Sequence, residues 1–336
     1  MIRPEELPIS RRNLLALGAA MSAPVLSAPA LLGFSTSPAR AAAPTIGKQA
    51  PYFYRFKLGS FEATVISDGP LNLPLDAFVG VTKDVVQGLL TNHFLPKDEV
   101  SLEQNILVLN TGTKLIMFDT GLGSTKLFGP NSGRLLNSLR EAGIDPKSID
   151  ALVISHAHPD HLWGIMADDG KPNYPNAQIY LNQADFDFWT DLKNPLFNDP
   201  NWKPLIEGAR KHLLPNRERI VFIKDGQEFL PGVQAIAAPG HTVGHTAFMI
   251  TSGGKSLAFL ADTTHHPVLL FENPRIEFVY DTDAKLSAKS RTRLLDMLAT
   301  SRVPLLGYHF PWPGIGYAAK AGEGFRYYPM QQQMIL

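Results

Sequence analysis

The 336-residue chain has no cysteine, no net charge and no apolar run fit to cross a bilayer. Without cysteine there is no disulfide framework, thiolate zinc finger, iron–sulfur ligation or cysteine nucleophile, so any metal must be held by imidazole and carboxylate. The balance of 31 Lys+Arg against 31 Asp+Glu argues against nucleic acid as the main partner, because phosphate binding wants a basic surface. No surface run resembles a lipid-binding patch. What is present, 44% hydrophobic and 18% charged residues, is an ordinary globular composition with enough length for a core that needs no staples.

The first forty residues read as a leader. Ser10-Arg11-Arg12-Asn13-Leu14-Leu15 is a twin-arginine start, a mildly apolar stretch runs from Ala16 to Phe34, and Ala39-Arg40-Ala41 is an A-x-A cleavage signal. Pro24 and Pro29 make that stretch a poor membrane anchor. The expectation is a cleaved export signal over residues 1–41 and one domain over 42–336, periplasmic or secreted, with no membrane attachment after cleavage. The exported part carries 27 basic and 29 acidic residues, net −2.

Beyond Gly47 the pattern predicts strands, then alternating strands and helices, then the same again. Phe61–Ser67 alternates like a strand, and Asn105–Asn110 with Lys114–Asp119 reads as a hairpin turned at Thr111-Gly112. Leucines at helical spacing predict a helix over Ser132–Ala142 that stops at Gly143. A buried strand is expected at Asp150–Ser155, helices at Asn182–Leu192, Pro204–Leu213 and Ser287–Thr300, and strands at Ile220–Phe222, Val233–Ala237, Ala247–Ile250, Leu257–Leu260 and Val303–Gly307. Lys114–Thr120 and Lys255–Thr263 form a weak repeat, each running from lysine through an apolar strand to Asp-Thr. Two such halves, each a sheet with helices on one side, would stack as an α/β, four-layer αββα sandwich: two mixed sheets packed together and flanked by helices.

The chemistry is concentrated in His156-Ala157-His158-Pro159-Asp160-His161, which packs three imidazoles and a carboxylate into six residues at a strand end. A single histidine is usually a satisfied surface or core residue. Four ligand-type side chains at this density suit a pair of divalent cations, since burying them unpaired would be costly. His241, Asp262 and His309 each follow a predicted strand and complete a set of five histidines and two aspartates, with room left for water as at an open catalytic site.

This H-x-H-x-D-H motif with downstream His, Asp and His resembles the metallo-β-lactamase superfamily. Within it, the chain from about Gly47 to Pro329 is similar to the branch of methyl parathion hydrolase and its lactonase relatives. The similarity includes Leu127-Phe128-Gly129-Pro130, Gly133-Arg134-Leu135, Ala184-Asp185-Phe186 with Trp189, Phe310–Gly316 and Gly322–Arg326. The resemblance implies that His156, His158 and His241 hold one metal ion, that Asp160, His161 and His309 hold the other, and that Asp262 bridges them. It implies two divalent ions per chain, zinc foremost, with manganese, cobalt or iron accepted by the same donors. Asp119 would support the site from behind the ligands or cap a turn, or both, and His245 would do likewise or simply pack.

The activity implied is metal-assisted hydrolysis in which water activated between the cations attacks an ester carbon or phosphorus, with no nucleophilic side chain. Asp160 would carry a proton to the departing oxygen. Phe128, Trp189, Phe197, Trp202, Phe278 and Tyr280 are expected to line an apolar pocket for a small neutral ester or lactone, although each singly has an ordinary core role as its alternative. Specialised organophosphate hydrolases of the branch carry an apolar residue where His265 stands, and the lactonase-like relatives carry histidine. His265 therefore favours a lactonase or arylesterase with a promiscuous phosphotriesterase activity; the alternatives are a dedicated organophosphate hydrolase and, outside enzymology, an exported metal-binding scaffold. A homodimer is expected from the resemblance alone.

Overall fold

Two seven-stranded mixed sheets lie face to face in the computed structural model, which describes residues 47, 49–50 and 52–333. The leader expected over residues 1–41 lies outside the described residues. In spatial order the first sheet is Phe53–Leu58, Phe61–Ser67, Asn105–Asn110, Leu115–Phe118, Ala151–Val153, Gln178–Asn182 and Ile220–Ile223. Its first four strands pair antiparallel and its last three join in parallel. The second sheet is Glu228–Leu230, Val233–Ala237, Thr246–Ser252, Lys255–Phe259, Leu305–Leu306, Ile315–Ala321 and Gly324–Pro329, with one parallel pair at Lys255–Phe259 and Leu305–Leu306.

The inward faces of the sheets carry the main core. Phe118 of the first sheet meets Phe248 and Phe259 of the second with ring centroids 5.5 and 5.3 Å apart, within the range favoured by aromatic pairs. Helices cover the outside: Leu135–Glu141 packs on the Phe53–Leu58 and Phe61–Ser67 strands, and Ala284–Ser301 on the final hairpin. The αββα sandwich expected from the repeat is the observed architecture. Among the described residues no helix is long and apolar enough to cross a membrane.

Most predicted elements stand within a few residues of their expected bounds. The pattern missed the helix Lys83–Asn92, which has Gly88 in its middle and a cap supplied by Thr82, and the hairpin Ile315–Ala321 with Gly324–Pro329. The final predicted strand is reduced to Leu305–Leu306.

The sandwich positions chemistry by ending four strands at one edge. Leu115–Phe118 runs out into Asp119, Ala151–Val153 into His156, Lys255–Phe259 into Asp262, and Leu305–Leu306 into His309. Two of these turns adopt left-handed backbone at residues that carry a Cβ: Asp119 at φ 63° and Ala261 at φ 45°. Such conformations cost about 1–3 kcal/mol each and persist where the surroundings over-determine them.

Candidate metal centre

The strand Ala151–Val153 delivers the His156–His161 segment, and Pro159 stands in the first turn of the short helix Pro159–Leu162. Proline suits that place because its missing N–H has no partner there. The turn swings Asp160 and His161 away from His156 and His158, so the segment feeds two sites.

At the first, three ring nitrogens converge: His156 Nε2 and His158 Nδ1 at 3.1 Å, His158 Nδ1 and His241 Nε2 at 2.8 Å, and His241 Nε2 and His156 Nε2 at 3.2 Å. Three imidazole nitrogens facing one point cannot all hydrogen-bond to one another, since each neutral ring has one donor and one acceptor. A tetrahedral ion with bonds of roughly 2.0–2.1 Å sets its ligand atoms about 3.3 Å apart, close to the observed triangle. Asp262 Oδ2 completes it, 3.1 Å from His241 Nε2 and 3.7 Å from His156 Nε2.

The second site uses the other oxygen of the same carboxylate. Asp262 Oδ1 lies 3.2 Å from His161 Nε2 and 3.3 Å from His309 Nε2. Asp160 Oδ2 lies 3.4 and 3.3 Å from the same two nitrogens. His161 Nε2 and Asp262 Oδ1 are buried without a hydrogen-bond partner among the described residues, a costly arrangement for polar atoms unless a cation satisfies them. The donor set, the spacing and the orphaned atoms all fit two divalent ions.

The rear nitrogens of the ligands are held from behind. His161 Nδ1 donates to Asp119 Oδ2 at 2.8 Å, and Asp119 is itself fixed by the Ser155 backbone N–H and hydroxyl, each at 2.8 Å. His241 Nδ1 donates to Asp281 Oδ1 and His309 Nδ1 to the Glu103 carbonyl, both at 2.8 Å. These bonds set the tautomer that leaves Nε2 free to ligate. His245 donates from Nδ1 to the Ala238 carbonyl and accepts at Nε2 from the Asp262 backbone N–H at 3.0 Å, so it positions the bridging residue.

Asp185 ties the two ligand loops together. Its Oδ2 accepts from Ala157 N at 2.7 Å and its Oδ1 from Gly244 N at 3.0 Å. A Cβ at Gly244 would stand 2.5 Å from Asp185 N, so the close approach requires glycine.

Burial and charge divide the histidines. Burial, reinforced by neighbouring histidines, holds His156 and His158 well below the usual imidazole range, in the neutral form a metal needs. Burial also disfavours charge on His161, but Asp262, Asp160 and Asp119 outweigh it and raise that ring well above its usual value. His309 is likewise raised to about 9 by Asp262 and Asp160 against the effect of burial. Asp160 and Asp262 are buried, which opposes ionisation, yet His161 and His309 hold both well below the carboxylate range.

The centre opens into a cavity. Asp160, Asp262, His241, His158 and His309 form its floor, and Leu71, Leu73, Leu102, Phe128, Leu205, Phe278 and Tyr280 its largely apolar walls, with His265 among them.

The sequence matches the metallo-beta-lactamase superfamily over residues 102–307, more than half of the chain. The chain belongs to the metallo-beta-lactamase superfamily. AidC, a dizinc quorum-quenching lactonase solved with a product, superposes with a TM-score of 0.79 at 30% identity, covering 84% of this chain and 98% of that one. The hydrolase AbOPH superposes with a TM-score of 0.79 at 27% identity over 85% of this chain and all of that one. An N-acyl homoserine lactonase from Bacillus sp. is 25% identical over 160 residues, 48% of this chain; the chain spans 56% of that relative's length.

On this metallo-beta-lactamase scaffold the structure gathers His156, His158, Asp160, His161, His241, Asp262 and His309 at one centre, with Asp119 and His245 directly behind. Phe128, His265, Phe278 and Tyr280 line the cavity. Three other aromatics expected there are placed elsewhere. Trp189 is fully buried beneath His158, with ring centroids 5.2 Å apart, and Trp202 packs on both rings at 6.2 Å. Phe197 lies under Lys203 Nζ, 5.5 Å from its centroid. Large aromatic rings close to a site can serve as its foundation rather than its wall, which is the role of Trp189 here.

Sequence reading assigned no role to Asp281, Asp185 or the four lining leucines. Asp281 sits 40 positions from the histidine it holds, and a leucine in a pocket wall has the same sequence signature as one in a core. Asp185 alone carried a signal, since it lies in a stretch that resembles the family.

Proposed function

We propose that the protein is a binuclear-metal hydrolase that opens lactones, N-acyl homoserine lactones among them, and cleaves aryl esters, with organophosphate triesters as poor side substrates. The observation that carries this reading is the pair of ligand triads joined through the two oxygens of Asp262 and open to an apolar cavity. The dizinc lactonase AidC and the Bacillus lactonase support the lactone side of it.

His156, His158 and His241 would hold one cation, Asp160, His161 and His309 the other, and Asp262 both. Bound there, two divalent ions supply Lewis acidity toward the acyl oxygen and lower the pKa of water to near neutrality. Zinc suits this nitrogen-rich donor set best, and cobalt, manganese and iron are compatible with it. Asp160, whose Oδ2 lies 3.4 and 3.3 Å from His161 Nε2 and His309 Nε2, would pass a proton to the departing oxygen. The walls of leucine, Phe128 and Phe278 receive an acyl or aryl group and exclude competing water. Tyr280 packs against Phe278 at 5.5 Å and against Phe128 at 6.3 Å, and the bulk of this aromatic wall favours a flat ester over a tetrahedral phosphotriester.

The test is kcat/KM of the metal-loaded protein on dihydrocoumarin, an acyl homoserine lactone and methyl paraoxon side by side. A lactone rate orders of magnitude above the phosphotriester rate is expected. The reverse ranking would replace this reading with that of a dedicated organophosphate hydrolase.

A further inference from the structure

We propose that His265 is a metal ligand, and that with Asp262 and His309 it forms a second, pocket-side seat for the cation otherwise held by Asp160, His161 and His309. The inference rests on the two-cation reading above. Ligand-capable atoms of Asp262, His265 and His309 all lie within 4.8 Å of one another. His265 Nε2 stands 3.1 Å from Asp262 Oδ2, the same separation that His241 Nε2 keeps from that oxygen.

The ring is 1% exposed and neither of its nitrogens has a hydrogen-bond partner among the described residues. A buried imidazole with both nitrogens unpaired is costly unless something absent from the protein itself satisfies one of them. Close approach to a carboxylate oxygen without a hydrogen bond is also the signature of His161 Nε2, which faces Asp262 Oδ1 at 3.2 Å in the same way. The ring has no freedom to turn elsewhere. It stacks on His309 with 10° between planes and 5.3 Å between centroids, and Phe278 covers it at 4.1 Å.

Two features define this seat. Asp262 and His309 belong to both arrangements, so the seat competes with the inner one and the total stays at two ions per chain. The rear nitrogens of His161, His241 and His309 are each held by an acceptor, whereas His265 Nδ1 has none. A ligand without such support binds more weakly. All three members of the seat line the cavity and His161 does not, so an ion held there stands on the substrate's side of the centre.

The experiment is a Co2+ titration of the metal-stripped full chain, followed by visible absorption and by chelator competition, for the wild type, His265→Gln and His265→Phe. Glutamine keeps an amide N–H near Nε2 but is a poor ligand, and phenylalanine keeps only the ring. The expected result is an unchanged tighter affinity, an altered spectrum for the second equivalent in both variants, because its pocket-side component is gone, and a weaker affinity lowered by no more than about twofold, because the inner seat remains. An unchanged spectrum for the second equivalent in either variant overturns the proposal. A change in the phenylalanine variant alone would overturn it too, marking His265 as a hydrogen-bond donor to Asp262. If one variant fails to fold, as judged by its melting curve, the other decides. A wild type that takes up fewer than two ions overturns the two-cation reading itself, and this inference with it.

Discussion

Replacing Asp281 with asparagine isolates what a carboxylate behind a metal-binding histidine contributes. Asp281 Oδ1 accepts from His241 Nδ1 at 2.8 Å, and both side chains are buried. Its Oδ2 lies 3.8 Å from Arg291 Nη2, a Coulombic contact too long for a hydrogen bond. Asparagine keeps an acceptor for His241 and nearly the same shape, but removes the charge and turns an amide NH2 toward the guanidinium. A hydrogen bond to a charged group contributes about 1.5–3 kcal/mol and a neutral one about 0.5–1.5, so the expected loss is about 1–1.5 kcal/mol. That is roughly a tenfold weaker affinity of the His156–His158–His241 site. The fold should survive, because Arg291 retains the carbonyls of Thr263, Pro274 and Ile276 and the Ser287 hydroxyl. Chelator competition on folded Asp281→Asn protein measures the affinity. An affinity equal to that of the wild type would refute the argument that Asp281 acts through His241.

Asp262→Ala removes the only side chain shared by both triads, so both ions should bind weakly and hydrolysis should vanish; metal analysis and a lactone assay check this, and retained activity would contradict the bridge. His156→Ala should likewise abolish turnover while sparing the Asp160–His161–His309 site, with about one ion remaining per chain by metal analysis. In the metal-free protein His309 titrates at about 9 against an ordinary 6.5, so its protonated form stabilises the fold fully below pH 6.5 and that contribution fades as pH rises through 9. Thermal melts of chelated protein should therefore lose stability from pH 7 to 9, and metal affinity should rise over the same range as protons stop competing; a flat profile in both would refute it. We propose that residues 1–41 are a twin-arginine export leader: replacing Arg11 and Arg12 together with lysine should then hold the protein in the cytoplasm by cell fractionation, and unchanged export would contradict the proposal.

The sequence revealed the centre through residue types that have few other reasons to sit together. His156 to His161 stand within six positions, and Asp262 closes a strand that repeats the one ending at Asp119. The sandwich followed from that repeat and from short apolar strands bounded by turns. What stayed hidden depends on distance in sequence or on chemistry without a signature. Asp281 and the Glu103 carbonyl reach histidines 40 and 206 positions away, and a backbone carbonyl has no letter in the sequence. The resemblance to the family places Trp189 in the pocket, yet tight packing under His158 buries it completely. Leu71, Leu73, Leu102 and Leu205 show the converse, since only the folded chain separates a pocket leucine from a core one.

The most direct test of the central claim is to titrate metal-stripped protein with Zn2+ while following lactone hydrolysis and bound metal together. The two linked triads predict that activity is negligible without metal, rises steeply with the second equivalent and saturates at two ions per chain. Full activity at one ion, or in the stripped protein, would contradict a binuclear centre bridged by Asp262.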